Sequence, residues 1–237
     1  MTPRLNFVNS SRVHLAREMK AFAKRTKAGM LVLDAGAGKS PYKHLFKHVR
    51  YEAADFAEFD TRYAPLNYVC DLTDIPVEDN RFDRIILNQV LEHLPEPKQV
   101  LVELYRVLKP GGLILCTCPL FYPEHHGPYD FFRYTQYGLR KLFTEAGFRV
   151  QRLDWLEGYF GTVGFQFHEM SRRLPRDART VAADWRAIYL QPLLSVTRLI
   201  SKLLAGAYSR ADLRWRYKKS GMPKNYLVIA KKPRQPA

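Results

Sequence analysis

A glycine-rich turn after a short apolar stretch carries the clearest chemical pattern in the sequence. Residues 30–34 predict a buried strand that ends at Asp34, and Gly36 and Gly38 follow before a predicted helix. Glycines in such a turn let the backbone approach a ligand closely, and the N-terminus of a helix favours polar or anionic groups. The segment therefore predicts a site for a nucleotide-like ligand.

Three kinds of ligand-binding loop compete for this segment. A P-loop needs glycine at position 33, and Leu33 stands there, so the following Gly-Lys-Ser is not part of one. A dinucleotide-binding loop needs a third glycine where this chain has Pro41. An acidic residue followed by x-G-x-G is typical of loops that bind S-adenosylmethionine (SAM), and Asp34, Gly36 and Gly38 match it. The alternative is a plain glycine turn between strand and helix.

Two further acidic residues end the next two predicted strands. Asp55 comes 21 residues after Asp34, where a carboxylate would accept from both ribose hydroxyls of a nucleoside. Asp71 can accept from an adenine amino group while Leu72 packs against the ring, and Asn88 would close the other side of the cofactor. The alternatives are a solvated loop residue for Asp55 and a turn or helix cap for Asp71.

The order of these motifs resembles the class I SAM-dependent methyltransferases of the type 11 subgroup. The resemblance covers roughly residues 28–156 and rests on DAGAG at 34–38, RFDRIILNQVLEHL at 81–94 and LYRVLKPGGLILCTCP at 104–119, together with Asp55 and Asp71-Leu72. It implies that SAM is the cofactor. Asp34, Gly36 and Gly38 would then line its methionine side, Asp55 its ribose and Asp71-Leu72 its adenine. The family usually has a third small glycine where this chain has Ser40.

The loop after the fifth predicted strand, residues 119–135, is dense in His, Asp, Arg and Tyr. A pattern that begins at His125, H-x-x-P-x-D-F-x-R-Y-T, resembles methyltransferases of bacterial glycan and secondary-metabolite clusters. His125 is the predicted general base for a hydroxyl acceptor, Asp130 would orient it, and Arg133 and Tyr134 would bind the acceptor. The alternative is that Asp130, Arg133 and Tyr134 form a hydrogen-bond network that only shapes the loop.

Other chemistry finds less support. Cys70, Cys116 and Cys118 are too few for a disulfide framework and indicate a reducing compartment. They show no paired C-x-x-C spacing, and no metal site is predicted. Cys116 and Cys118 are predicted to lie in the core, and the Pro-Cys of RNA cytosine methyltransferases is missing after the fourth strand. Two roles stay open for Glu92 and His93: they orient a ligand, or they pack under the loop.

The elements that must position these residues predict an α/β fold. The predicted strands are 30–34, 50–55, 67–70, 82–87, 113–117, 148–155 and 225–230, and the predicted helices are 11–27, about 39–48, 97–108 and 135–146. Strands that alternate with helices favour a doubly wound, Rossmann-like sheet. The resemblance implies seven strands, with the last one antiparallel between the fifth and the sixth.

The basic charge of the 237-residue chain, a formal +15, lies in its flanks. Residues 1–29 hold 7 basic residues against 1 acidic, residues 30–170 hold 15 against 19, and residues 171–237 hold 16 against 3. We expect a basic N-terminal helix at 1–29, a SAM-binding domain at 30–156 with 225–234, and a helical basic insertion at 157–224. An apolar fraction of 46% excludes global disorder.

The insertion contains a predicted amphipathic helix, with Leu193, Val196, Leu199, Ile200, Leu203, Leu204 and Ala207 on its apolar face. It is interpreted as a lid, a homodimer face or a contact with an anionic membrane. No secretory signal and no run of 18 apolar residues is visible, so a cytoplasmic location, with or without peripheral membrane contact, is expected.

Together these features predict a SAM-dependent O-methyltransferase for a small-molecule or glycan acceptor, lipid-linked acceptors included. The alternatives are a non-catalytic SAM-fold scaffold and a quinone or lipid methyltransferase at the membrane surface. Nucleic acid is not favoured as the substrate, because the base-amino methyltransferase motif is absent after the fourth strand.

Overall fold

The sheet is the centre of the computed structural model, which describes residues 6–57 and 63–234. Its strands are β1 (Leu31–Ala35), β2 (Arg50–Asp55), β3 (Tyr68–Val69), β4 (Phe82–Asn88), β5 (Leu108–Pro119), β6 (Arg149–Trp155) and β7 (Asn225–Lys231). Their order across the sheet is β3-β2-β1-β4-β5-β7-β6. Strand β7 runs antiparallel to β5 and to β6, whereas the pairs among β1 to β5 are parallel. The predicted α/β Rossmann-like sheet with an antiparallel last strand is confirmed.

Five α-helices accompany the sheet in the part of the chain that the structure describes. They are α1 (Ser10–Arg25), α2 (Pro97–Val107), α3 (Gln136–Glu145), α4 (Tyr159–Arg173) and α5 (Ala187–Trp215). Short 3₁₀ turns lie at Lys43–Phe46, Leu91–His93 and Ala178–Thr180. The described residues form two compact units, one within Leu15–Leu156 and Asn225–Ala237 and one within Met1–His14 and Glu157–Lys224.

Apolar side chains alternate between the two faces of the sheet, as the period of a strand requires. Val32, Ile86 and Leu115 lie on one face in a cluster with Leu15, Met19 and Phe22 of α1. Leu33, Ile85 and Ile114 lie on the other face, packed with Leu101 and Leu104 of α2 and with Leu139 and Phe143 of α3. The predicted N-terminal segment 1–29 is thus divided, since α1 from Leu15 onward belongs to the unit that contains the sheet.

The helix predicted at about 39–48 is wrong, and only the 3₁₀ turn Lys43–Phe46 forms there. Ser40 adopts φ +43, which interrupts any right-handed helix at that position. Pro41 follows and has no N–H to donate to a helix. The glycine turn after β1 therefore leads into an irregular segment.

Strand β5 begins earlier than predicted. Its first residue is Leu108, paired with Phe82 of β4, whereas the sequence indicated a turn at 109–112. Gly111 adopts φ +84 and its N–H donates to the Lys232 carbonyl at 2.8 Å. Gly111 and Gly112 thus continue strand β5 in an irregular form and do not end it.

The unit that holds α4 and α5 is a close pairing of two helices. A Cβ on Gly161 would lie 2.6 Å from Asp212 Oδ2, and a Cβ on Gly164 would lie 2.9 Å from the Ser209 nitrogen. Asp212 is fully buried, where it accepts from the Gly158 N–H at 2.8 Å and lies 3.2 Å from His14 Nε2. Helix α4 was not predicted from the sequence because of its glycines. Gly161 and Gly164 are therefore the residues that allow α5 to approach α4 closely.

Helix α5 is longer than the predicted amphipathic helix, and much of the apolar face at 193–207 is exposed. Leu193 is 61% exposed and Leu199 is 62% exposed, while Ser201 and Ala205 are buried. The helix therefore packs through small residues and turns large apolar ones outward. Among the described residues, no helix has both the length and the apolar character that crossing a bilayer requires.

Candidate active site

A cavity of about 1030 Å³ opens at the carboxyl ends of β1 to β4. Open α/β sheets bind ligands at this edge, where the loops that follow parallel strands converge. The lining residues from the loops after β1, β2, β3 and β4 include Asp34, Gly36, Gly38, Asp55, Asp71, Leu72, Asn88 and His93. The loop after β5 adds His126, Tyr129 and Phe131. The structure thus gathers all the predicted cofactor residues around one space.

The glycine turn after β1 is held in one conformation by its surroundings. Gly36 adopts φ +71, and a Cβ there would overlap the side chain of Val90. The N–H groups of Gly36 and Ala37 donate to the Ala54 carbonyl at 2.9 and 3.1 Å. Glycine at position 36 is therefore required both by its backbone conformation and by the space around it.

Asp55 ties the end of β2 to the glycine turn. Its Oδ2 accepts from the Gly38 N–H at 2.8 Å, and its Oδ1 accepts from the Ala57 N–H at 3.2 Å. The side chain is buried but belongs to the cavity wall. The carboxylate predicted for the ribose thus also fixes the loop beside it.

Asp34 is a buried carboxylate with two hydroxyl partners. Its Oδ2 accepts from Tyr51 Oη at 2.6 Å and from Ser40 Oγ at 3.0 Å. Burial raises the pKa of Asp34 to about 6, although both hydrogen bonds lower it. Ser40, which replaces the usual glycine, thus contributes a hydroxyl to the acidic group that begins the turn.

The side chains predicted for the adenine side have partners of their own. Asp71 Oδ1 accepts from the N–H and from the Oγ1 of Thr73, both at 2.8 Å, which is the local turn that the alternative reading described. Leu72 is buried in the core cluster and lines the cavity. Asn88 Oδ1 accepts from Thr117 Oγ1 at 2.7 Å.

In the loop after β5, Asp130 and Arg133 form a two-point ion pair. Arg133 Nη1 and Nη2 donate to Asp130 Oδ1 and Oδ2 at 2.7 and 2.8 Å, and Arg133 also donates to the Pro123 carbonyl at 3.1 Å. This pairing holds the pKa of Asp130 well below its usual range. Tyr134 Oη donates to the Leu91 carbonyl at 3.0 Å. These contacts shape the loop, and Asp130, Arg133 and Tyr134 are not among the residues that line the cavity.

Three histidines form a cluster beside the cavity, which we call the histidine cluster: His93, His125 and His126. Their ring centroids lie 4.7 to 5.1 Å apart. His125 Nδ1 lies 3.3 Å from Asp130 Oδ2, so the structure brings the predicted base and its predicted orienting residue together. Sequence reasoning missed His126, which lines the cavity with His93, although its position next to His125 was a usable sign.

Burial makes the protonated forms of His93 and His125 unfavourable. Burial lowers the pKa of His93 and of His125, and the neighbouring imidazoles lower it further. Asp130 raises the pKa of both, without reversing the direction. At neutral pH both rings are therefore neutral and able to accept a proton or a cation.

Glu92 lies beneath the histidine cluster and is completely buried. Within the described residues, neither of its carboxylate oxygens has a hydrogen-bond partner. Its Oε1 lies 3.8 Å from His93 Nε2, and burial raises the pKa of Glu92 to about 8. A buried acid without a hydrogen-bond partner for its side chain is costly, and this one lies next to the cavity-lining His93.

The strand order, the glycine turn and the carboxylates at the strand ends match the fold of the class I SAM-dependent methyltransferases. Residues 12–116 match the family model described as "Methyltransferase domain". The predicted resemblance and the predicted cofactor, SAM, are confirmed.

Solved structures share this fold, and curated proteins match part of the chain. A Haloferax volcanii putative methyltransferase, solved in complex with the Trm112 methyltransferase activator, superposes with a TM-score of 0.58 at 19% identity, over 93% of this chain and 89% of that one. A probable S-adenosylmethionine-dependent methyltransferase of Mycolicibacterium smegmatis is 31% identical over 138 residues, covering 52% of this chain and 54% of the relative.

A quinone-modifying enzyme is a further relative. The ubiquinone/menaquinone biosynthesis C-methyltransferase UbiE of Desulfotalea psychrophila is 38% identical over 125 residues, covering 52% of this chain and 49% of that protein. The chain thus spans about half the length of these curated relatives.

Proposed function

We propose that this protein transfers the methyl group of SAM to a hydroxyl oxygen of a small-molecule or glycan acceptor. The observation that carries the proposal is the division of one cavity into two sides. Buried carboxylates and the glycine turn line one part of it, and His93 and His126 of the histidine cluster line another, with His125 next to them. Methyl transfer needs mainly alignment of donor and acceptor, together with a group that takes the hydroxyl proton.

The residues of the first side fit SAM. Asp34 is a buried carboxylate whose pKa is raised to about 6, so a ligand ammonium group beside it would favour its ionised form. The positive φ of Gly36 and of Gly38 keeps side chains away from the turn that a ligand must approach. We assign Asp34, Gly36 and Gly38 to the methionine part, Asp55 to the ribose, and Asp71, Leu72 and Asn88 to the adenine side.

Bound SAM supplies an activated methyl group on a positively charged sulfur. Residues of the chain itself would remove the proton of the acceptor hydroxyl and position the base. His125 is the proposed general base, because its ring is neutral and lies 3.3 Å from the Asp130 carboxylate, which would stabilise the protonated form. Arg133 positions Asp130 through the two-point ion pair, and Tyr134 anchors the loop to the Leu91 carbonyl.

The test is to incubate the protein with methyl-labelled SAM and a fractionated extract of its host, and to identify the labelled product by mass spectrometry. We expect label on an oxygen atom, and Asp55→Ala as a control without transfer. His125→Ala should keep SAM binding and lose at least about 100-fold in turnover, the usual contribution of a general base. Label on carbon or nitrogen would contradict O-methylation, and SAM binding without any transfer would favour the scaffold.

A second candidate, a quinone or lipid methyltransferase at a membrane surface, is favoured by one feature of the smaller unit. Helix α5 exposes Leu193, Leu199 and Ile188, the last at 73%, and carries Arg198 and Lys202 nearby. Large apolar residues beside basic ones suit the surface of an anionic bilayer. The UbiE relative is by its name a C-methyltransferase of ubiquinone/menaquinone biosynthesis, which is consistent with a lipid-soluble acceptor.

Vesicle sedimentation separates this candidate from the first. Binding to anionic but not to neutral vesicles, reduced in an Arg198→Glu/Lys202→Glu variant, is expected if the helix contacts a membrane. The matched control is Lys47→Glu/Lys141→Glu, which changes two exposed lysines outside α5 by the same charge. Equal binding by both variants, or no binding at low salt, would leave α5 as a lid or a homodimer face.

A further inference from the structure

We propose that the histidine cluster binds one divalent transition-metal ion of the zinc type at the acceptor edge of the cavity. His93, His125 and His126 each place a ring nitrogen within 4.8 Å of the other two. They are three of the seven histidines in the chain. Three imidazoles are a donor set typical of catalytic zinc and of its neighbours in the transition series. Binding of the ion does not depend on methyl transfer, but its role toward an acceptor rests on the proposed function.

The hydrogen bonds of two of the rings leave a suitable nitrogen for the ion. His93 Nδ1 donates to the Tyr129 carbonyl, and His125 Nδ1 lies 3.2 Å from the Pro123 carbonyl. A carbonyl only accepts, so both rings carry their proton on Nδ1 and keep the Nε2 lone pair. Backbone carbonyls or carboxylates on the second nitrogen are the usual outer partners of metal-binding histidines, since they fix the tautomer and the ring orientation.

The side chains are close to a coordinating arrangement. Zinc–nitrogen bonds of about 2.0–2.1 Å in a tetrahedron set the nitrogens about 3.4 Å apart. The present separations, up to 4.8 Å, therefore close by side-chain rotation of about 1 Å or less per ring. His126 is exposed and lies on the loop after β5.

Glu92 is the independent observation that points to a bound cation. Its carboxylate is fully buried, has no hydrogen-bond partner in the described chain, and lies 3.8 Å from His93 Nε2. Asp130 Oδ1 lies 4.0 Å from His93 Nδ1 on the other side. A metal ion held by His93 would bring a positive charge next to Glu92, whereas Asp130 is already paired with Arg133.

The position of the cluster gives the ion access to an acceptor. His93 and His126 line the cavity, so a fourth coordination position would face it. An acceptor hydroxyl bound there would lose its proton to water more readily, because coordination stabilises the oxygen anion. His125 cannot bind the ion through Nε2 and accept a proton there at the same time. The metal site and the general base are thus alternative roles for that one side chain.

The experiment uses the untagged full chain, stripped with EDTA and titrated with Zn²⁺ by calorimetry. Substitution with Co²⁺ gives a visible absorption spectrum that reports the coordination geometry. We expect one Zn²⁺ per chain and a loss of affinity of more than about 100-fold in His126→Ala. Removing a group that only hydrogen-bonds to a metal ligand already costs about 10- to 100-fold in affinity, so removing a ligand should cost more. His44→Ala, which removes an exposed histidine from the same unit, is the matched control and should keep the affinity within about twofold.

Equal Zn²⁺ affinity in His126→Ala and His44→Ala would overturn the proposal, and so would the absence of stoichiometric binding by the unmodified chain. Thermal unfolding shows whether His126→Ala still folds, and Glu92→Gln, which should weaken binding while leaving all three ligands in place, serves as a second variant. SAM binding is measured separately, so its failure would contradict the proposed function and leave the metal site standing. Methyl transfer that is unchanged by EDTA would remove the ion's role toward the acceptor.

Discussion

The cofactor side and the acceptor side of the cavity differ in how many of their buried acidic side chains have hydrogen-bond partners within the protein. On the cofactor side, Asp55 accepts from two backbone N–H groups and Asp34 accepts from two hydroxyls. On the acceptor side, Glu92 is buried without a hydrogen-bond partner among the described residues. The cofactor side is therefore organised by the chain itself, whereas the acceptor side contains a buried acid, with a pKa raised to about 8, that has no hydrogen-bond partner in the described chain.

The largest effect that can test this comparison is expected at Asp55. Asp55→Ala should weaken SAM binding by more than about 100-fold, because hydrogen bonds to a charged group contribute about 1.5–3 kcal/mol each and the variant also frees the Gly38 N–H. Asp71→Ala should lose less than about tenfold, since Asp71 mainly holds its own turn. Calorimetry measures both, and similar losses in the two variants would show that the cofactor side is not organised as described.

Gly36 and Gly29 have similar positive φ values, so alanine substitutions at the two positions separate the cost of backbone strain from the cost of steric overlap. Gly36→Ala should lower the free energy of unfolding by about 3 kcal/mol, from positive φ and from overlap with Val90. Gly29→Ala should cost only about 1–2 kcal/mol, because its φ is +78 but nothing lies within 4 Å of the added carbon. Urea unfolding provides the numbers. Equal losses would mean that Val90 moves aside freely.

The buried acid of the cofactor side predicts a pH dependence with a definite sign. The folded-state pKa of Asp34 is raised from 3.8 to about 6, so its contribution to stability is present below pH 3.8 and is lost as the pH rises through 6. The free energy of unfolding of the wild type, relative to Asp34→Asn, should fall by about 2 kcal/mol between pH 4 and pH 7. Unfolding curves at several pH values test this, and a constant difference between the two proteins would contradict it.

Tyr51→Phe refines the same prediction. It removes the hydrogen bond from Tyr51 Oη, which lowers the pKa of Asp34, so the pH-dependent loss should move to higher pH. An unchanged midpoint would show that burial alone sets the titration.

The smallest effect is expected on the acceptor side, at Tyr134. Tyr134→Phe should cost about 1 kcal/mol of stability by leaving the Leu91 carbonyl without its donor. SAM affinity and the Michaelis constant for the acceptor should not change if Tyr134 only anchors the loop. A raised Michaelis constant with full stability would instead place Tyr134 on the acceptor.

The sequence was informative where short-range patterns determine the structure. Apolar runs such as 30–34 and 82–87 predicted β1 and β4, and the glycine turn predicted the cofactor side, because backbone conformation alone requires glycine there. Helix α4 was missed because Gly161 and Gly164, which weaken a helix by propensity, are needed for close packing against α5. That requirement comes from a segment about 45 residues further along the chain.

The histidine cluster shows the same limit at the site. His93 lies in the turn after β4, and His125 and His126 lie in the loop after β5, so their meeting depends on the path of that loop. The ion pair of Asp130 with Arg133 shapes this path. Nothing in the spacing of the three histidines predicted a shared position, because they do not form a local motif.

The place of β7 in the sheet has a consequence for the order in which the protein is completed during synthesis. Strands β5 and β6 do not pair with each other, since β7 lies between them and pairs with both. When β6 leaves the ribosome, about 70 residues still separate it from the start of β7. Until that last strand arrives, β5 presents an unpaired edge, and such edges promote aggregation. The nascent chain thus makes both helices of the smaller unit before its sheet can close.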